Sequence, residues 1–215
     1  MIDEGAYMSN KMNIVGIGPG AREYLTLKAL DVIENSDVLV GSKRSLDLFN
    51  NTNAEMVVLE PRDIPKTIKK AVSYLEEGFT VTVLSTGDPG FSGMLKTIKK
   101  LSPNTKVNVL PGISSIQLAA AKLEIPWDTA NLLTIHGGKA PTEDLLDKLD
   151  NSRPNIILPN RHISELAEYL IDHGFSPEHG ITICEKLSYP DEQIVHITLE
   201  EAKQMDFGYM CVVVI

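Results

Sequence analysis

Short apolar runs bounded by turn residues alternate along this chain with longer segments whose apolar positions recur at helical spacing. The runs Asn13–Ile17, Val38–Val40, Glu55–Leu59, Val81–Ser85 and Val107–Leu110 predict strands. Between them, Leu27–Asn35, Ser42–Leu48, Ile64–Glu77 and Gly93–Leu101 predict helices; in the third of these Ile64, Ile68, Ala71, Val72 and Leu75 keep to one face. Regular strand–helix alternation of this kind specifies an α/β layer with a mainly parallel sheet.

A second series begins with the apolar helix of PGISSIQLAAAKL. Strands are predicted at Leu132–His136, Asn155–Leu158, Ile181–Cys184, Gln193–Thr198 and Tyr209–Ile215, with helices at Thr142–Leu149, Ile163–His173 and Leu199–Gln204. Successive late strands imply an antiparallel part of the second sheet. The expectation is a flexible, polar N-terminus over 1–11 and two α/β lobes, 12–110 and 111–215, with a ligand in the cleft between them. The MIDEGAYMSNK start has neither the basic nor the apolar region of a signal peptide.

Composition narrows the function classes. The 215 residues are 43% apolar and 23% charged, as in ordinary globular domains, and no apolar run is long enough to span a membrane. A net charge of −9 argues against nucleic acid as a partner. Cys184 and Cys211 stand in apolar runs without metal-ligand spacing, which predicts buried, reduced thiols in a cytoplasmic protein and no metal site.

The candidate chemistry lies in three loops, each at the carboxyl end of a predicted parallel strand. The first is GIGPG, Gly16–Gly20. It fits a loose dinucleotide fingerprint, but the helix starts later, with Thr26 as its N-cap, and no acidic residue ends the second strand. The second is STGDPGFSG, Ser85–Gly93. Asp88 either caps the next helix, with Pro89 as its first residue, or accepts hydrogen bonds from a ligand brought close by Gly87 and Gly90. The third is PGISS, Pro111–Ser115, whose serines either cap a helix or bind a ligand. Carboxyl ends of parallel strands share one rim, so three such loops point to one ligand site.

GxGPG…LT, GDPxxxG and PGIS, in this order and spacing, resemble the tetrapyrrole methylase family over about residues 12–215. The resemblance implies a dimeric enzyme of two α/β lobes that binds S-adenosylmethionine (SAM) between them and methylates a tetrapyrrole or corrinoid carbon. Carried over by position, the SAM contacts are Pro19, Thr86, Gly87, Asp88, Phe91, Ser114 and Ser115, with Leu158 and Leu187 at strand ends of the second lobe. The stretches PGISSIQLAAAKLEIPWDTANLLTIHG and LSYPDEQI are similar to the branch that methylates C5 of cobalt-precorrin-7 in anaerobic cobalamin synthesis. Uroporphyrinogen III, a protein acceptor, or SAM binding without turnover are the alternatives.

No Ser-His-Asp pattern or Walker loop is present. Methyl transfer from a sulfonium to an enamine-like carbon needs positioning more than a strong base. His136, at a strand end, and Arg44, just past one, are the candidate substrate contacts, Arg44 because a polycarboxylate macrocycle calls for positive charge. His173 is expected at a helix C-terminus, and Trp127 in packing.

Overall fold

The computed structural model of the chain describes residues 11–135, 143–150, 152–159 and 162–215. The chain divides into two compact units, Met1–Ser114 and Ser115–Ile215.

The first unit is a five-stranded sheet of β1 (Met12–Gly16), β2 (Val38–Gly41), β3 (Glu55–Val58), β4 (Val81–Ser85) and β5 (Val107–Leu110). Their spatial order is β3-β2-β4-β1-β5 and every pairing is parallel. β1 and β4 are buried along their whole length, which is why they read as apolar-rich runs despite Asn13 and Thr82. Alternation then sorts their side chains. Met12, Ile14, Val81 and Val83 face Ile68, Ala71 and Leu75 of α3 (Ile64–Glu76) and Ile98 of α4 (Met94–Leu101). Val15 and Leu84 face Ala29, Val32 and Ile33 of α1 (Leu27–Glu34) and Leu46 of α2 (Lys43–Asp47). Thr26 caps α1, its side chain accepting from Ala29 N at 3.1 Å.

Near the amino ends of the central strands a buried polar chain replaces apolar packing. Asn108 Nδ2 donates to Asn13 Oδ1 at 2.9 Å, Asn13 Nδ2 donates to Thr82 Oγ1 at 3.3 Å, and the Thr82 and Ser36 hydroxyls lie 2.7 Å apart. Ser36 Oγ in turn donates to the Val32 carbonyl at 2.7 Å. Each polar atom that leaves water here gains a partner, so the burial is tolerated.

The second unit is a mixed sheet of β6 (Asn131–Thr134), β7 (Asn155–Leu158), β8 (Gly180–Glu185), β9 (Gln193–Thr198) and β10 (Cys211–Val214), ordered β6-β7-β10-β8-β9. β6 and β7 are parallel, β10 is antiparallel to β7 and β8, and β9 is antiparallel to β8. β7 and β8 therefore run the same way, and their carboxyl ends reach one edge. Leu166, Ala167 and Leu170 of α7 (Ile163–Asp172) and Leu199 and Ala202 of α8 (Leu199–Gln204) cover Ile157, Ile183 and Val213. α5 (Ser115–Lys122) packs on β7 and β10, and α6 (Glu143–Leu146) adds Leu145 to the core.

Cys184 stands opposite Val212 in the β8–β10 ladder, whereas Cys211 stands opposite Glu185. The two thiols thus point to opposite faces of the sheet. Both are buried and free, and burial pushes them up to about 11 and about 12 respectively.

The sequence placed most elements to within one or two residues. The predicted ends run long in β10, which spans Cys211–Val214 rather than 209–215, and in β6, which stops at Thr134. His173 is the C-cap of α7, its Nδ1 2.7 Å from the Tyr169 carbonyl oxygen. Trp127 is 42% exposed and forms no part of the core.

Candidate cofactor site

In the first unit the three glycine-marked loops interlock. Beyond β1 the chain donates Ile17 N to the Ser85 carbonyl at 3.0 Å, and beyond β4 Gly87 N donates to the Gly18 carbonyl at 2.8 Å. Gly18 and Gly87 hold φ of 77° and 68°, the left-handed region that suits glycine. Gly16 and Gly112 allow the closest approach. A Cβ on Gly16 would lie 2.6 Å from Gly112 Cα and 2.7 Å from the Gly87 carbonyl oxygen, and a Cβ on Gly112 would lie 2.7 Å from Gly16 Cα. The glycines that the sequence marked as separate turns are in contact with one another.

Asp88 ties the second loop to the third. Its Oδ1 accepts from Gly90 N at 2.7 Å, an Asx-type turn, and its Oδ2 accepts from Gly112 N at 3.2 Å. It does not cap α4. That helix opens at Met94 with Gly93 as N-cap, and Met94 N donates to Ser85 Oγ at 3.2 Å. The helix-cap alternative for the Asp88-Pro89 pair is therefore corrected: the carboxylate is spent on its own loop and on Gly112. Phe91 N closes the turn onto the Asp88 carbonyl at 3.3 Å.

Pro19, Gly87 and Ser114 are buried, Asp88 and Phe91 are half-buried, and Thr86 is exposed at the tip of β4. A Cβ on Gly87 would stand in ordinary contact with Ser114, its Cα at 3.6 Å, whereas a Cβ on Gly16 or Gly112 would collide with backbone. Pro19, Thr86, Gly87, Asp88, Phe91 and Ser114 thus belong to one rim of loops at the carboxyl ends of β1, β4 and β5. Arg44 is half-buried in the first turn of α2, past the end of β2. His136 lies outside the described residues.

In the second unit Ser115 begins α5, and Leu158 ends β7, its carbonyl accepting from Ile135 N at 3.0 Å. Leu187 follows β8 and is 4% exposed. Its side chain is interior. Neither its N–H nor its carbonyl has a hydrogen-bond partner among the described residues. Buried main-chain groups are paired in the great majority of folds, which sets this pair apart. The flanking residues hold left-handed backbone, Lys186 at φ 50° and Ser188 at φ 72°.

Two side chains that the sequence did not single out hold this turn. Glu192 Oε2 accepts from Ser188 N at 2.7 Å, and Glu192 Oε1 pairs with Lys122 Nζ of α5 at 2.6 Å. Burial pushes the Glu192 carboxyl up, but the Lys122 ammonium and the Ser188 N–H outweigh it and hold it below the usual range. The LSYPDE wording was the available signal, but not its partner. A hollow of about 340 Å³ between β8, β9 and α8 contains none of the candidate residues. Its polar groups are paired already, Thr182 Oγ1 with His196 Nδ1 at 2.8 Å and Thr198 with Glu201 in a capping box.

Among the described residues no group of His, Cys, Asp and Glu is arranged to hold a metal ion, and no helix is long and apolar enough to cross a membrane. The rim offers close-approach backbone, an exposed hydroxyl and apolar walls, which suits holding and orienting a small ligand.

The chain is similar to known proteins along nearly its whole length. A chain from Methanocaldococcus jannaschii described as a probable cobalt-precorrin-7 C(5)-methyltransferase is 42% identical over 94% of this chain and 95% of its own. A solved cobalt precorrin-4 methyltransferase covers 100% of this chain and 97% of its own, with a TM-score of 0.81 at 22% identity. A uroporphyrin-III C-methyl transferase from Thermus thermophilus, solved with S-adenosyl homocysteine, covers 95% of this chain and 91% of its own, with a TM-score of 0.78 at 20% identity. A profile of the tetrapyrrole (corrin/porphyrin) methylases matches residues 11–203. With its two sheets, its three interlocked loops and a match along nearly its whole length, the chain belongs to the tetrapyrrole methylases.

Proposed function

We propose that this chain transfers the methyl group of SAM to ring carbon C5 of cobalt-precorrin-7 in cobalamin synthesis. The observation that carries the acceptor is the 42% identity, along nearly both full lengths, to the Methanocaldococcus jannaschii relative described with that activity. SAM fits the residues present: Gly16, Gly87 and Gly112 bring three loops together at one rim, and the main chain of Leu187 has no partner among the described residues.

Bound SAM supplies a methyl group activated by its sulfonium charge. The chain's own work is to bind, orient and keep water out. Gly16, Gly87 and Gly112 set the loop backbone, and Asp88 fixes it through Gly90 and Gly112. Thr86 offers a hydroxyl, Leu187 its main chain, and Pro19 and Phe91 apolar walls. In-line transfer needs the reacting carbons about 3–3.5 Å apart, so rigidity of this rim bears directly on rate. The acceptor carbon is nucleophilic through the macrocycle itself, so positioning and exclusion of water carry the reaction. Arg44 is assigned to the carboxylates of the macrocycle. In the same reading the enzyme works in the cytoplasm as a homodimer.

The test is anaerobic incubation with methyl-labelled SAM and either cobalt-precorrin-7 or uroporphyrinogen III, read by mass spectrometry. Label on cobalt-precorrin-7 alone is expected. Label on uroporphyrinogen III alone would overturn the acceptor.

A further inference from the structure

We infer that Glu192 and Lys122 are positioning residues for the cofactor: their ion pair joins the turn that presents the Leu187 main chain to helix α5, which begins with Ser115. The inference rests on the SAM reading above and adds two residues to it.

Three observations point the same way. First, the turn after β8 is conformationally costly. Lys186 and Ser188 both hold positive φ without being glycine, and such backbone persists only where its surroundings impose it. Second, the turn is held from several directions. Lys186 N donates to the Met210 carbonyl at 2.8 Å, Tyr189 N to the Lys186 carbonyl at 2.9 Å and Glu192 N to the Tyr189 carbonyl at 3.0 Å. Lys186 Nζ also donates to Asp191 Oδ2 at 2.6 Å. Third, the residue at the centre of all this restraint, Leu187, is buried with both main-chain groups unpaired among the described residues. A turn forced into strained backbone in order to leave polar groups unpaired is arranged for something outside itself.

Glu192 connects this turn to another element, with one oxygen on the turn and the other on α5. One oxygen accepts from Ser188 N at 2.7 Å, the residue after Leu187, and the other accepts from Lys122 Nζ at 2.6 Å. The Glu192 and Lys122 side chains are 22% and 32% exposed, so water competes only in part. Lys122 lies in the last turn of α5, where its charge also complements the helix C-terminus. Ser115 at the start of that helix and Leu187 in the turn are thereby coupled through three residues.

The test measures S-adenosylhomocysteine affinity by calorimetry, together with melting temperature, for the wild type, Glu192→Ala, Glu192→Gln, Lys122→Met and Glu168→Ala. Glu192→Ala and Lys122→Met should each weaken binding roughly tenfold. Glu192→Ala combined with Lys122→Met, measured alongside, should bind no more weakly than either alone, because both remove one link. Glu192→Gln keeps an acceptor for Ser188 N but loses the charge and the acceptor that faces Lys122, so it should weaken binding no more than Glu192→Ala, and it serves if Glu192→Ala does not fold. Glu168→Ala removes a different ion pair of the same unit, Lys203 Nζ–Glu168 Oε1 at 3.8 Å, and should leave affinity unchanged. Unchanged affinity in Glu192→Gln and Lys122→Met, with the wild type binding, overturns the inference alone. A wild type that does not bind S-adenosylhomocysteine overturns the SAM reading and this inference with it. Wild-type binding without methylation of cobalt-precorrin-7 overturns only the acceptor.

Discussion

Asp88 reaches across 24 residues of sequence to accept a hydrogen bond from Gly112 N, its Oδ2 3.2 Å from that nitrogen. The carboxylate at the tip of β4 thereby fixes the loop after β5, while its other oxygen fixes its own turn at Gly90. Removing it leaves two main-chain donors to find water. Asp88→Ala should cost about 1–3 kcal/mol of stability, a fall in melting temperature of about 2–4 °C per kcal/mol in a chain of this size. It should also weaken S-adenosylhomocysteine binding, because the rim it braces is the proposed site. Calorimetric titration beside thermal unfolding separates the two. A lower melting temperature with unaltered affinity would reduce Asp88 to a purely structural brace.

The glycines of the rim should separate stability from binding. A Cβ on Gly16 or Gly112 collides with backbone of a neighbouring loop, which cannot swing aside as a side chain end does. Gly112→Ala should therefore cost about 3 kcal/mol or more, the upper range for overpacking. At Gly87 the added Cβ finds ordinary contact at 3.6 Å, so only the positive φ of 68° counts against it, about 1–2 kcal/mol. Gly87→Ala should fold but bind poorly, since the methyl stands on the loop proposed to hold the ligand. Urea unfolding with calorimetry on both variants checks the contrast, and equal stability losses would refute it.

Thr82 provides the matching control at the other end of the sheet. It is fully buried and links Asn13 to Ser36. Thr82→Val preserves shape but leaves partners unsatisfied, so it should cost about 1–3 kcal/mol with cofactor affinity unchanged. A tenfold loss of affinity would mean that the polar chain acts on the loop rim as well.

The two thiols make the protein sensitive to alkali. Burial raises Cys184 to about 11 and Cys211 to about 12, from ordinary values of 9.0. The folded state therefore holds its thiol protons where the unfolded chain has released them. Their contribution to stability is full below pH 9 and is lost as pH rises from 9 through 11 and 12. Urea midpoints should fall over that range, and less steeply in Cys184→Ala. Iodoacetamide at pH 8 should leave both thiols unmodified in the native protein and label both in urea. Native labelling would contradict their burial.

Local rules were legible in the sequence wherever the signal was local. Apolar-rich runs gave β1 and β4, one-sided periodicity gave α3, and Thr26 read correctly as a cap because a cap acts within three residues. The Asp88-Pro89 pair invited a helix-cap alternative for the same reason. Its local form fits a cap, but its carboxylate is taken by Gly90 and by Gly112, and the second partner depends on how β4 and β5 flank β1. Gly16, Gly87 and Gly112 each looked like a turn residue, and their mutual contact is a property of the sheet. Glu192 and Lys122 are ordinary surface residues by composition, joined only when α5 folds back on β7 and β10. The left-handed backbone around Leu187 carries no glycine to announce it.

The central claim is methylation of one ring carbon, and the most direct measurement locates that carbon. Cobalt-precorrin-7 incubated anaerobically with the protein and ¹³C-methyl SAM, and analysed by ¹³C NMR after isolation, should carry a single enriched methyl on C5. Enrichment at any other ring position, or recovery of unlabelled macrocycle from a protein that binds S-adenosylhomocysteine, would contradict the assignment.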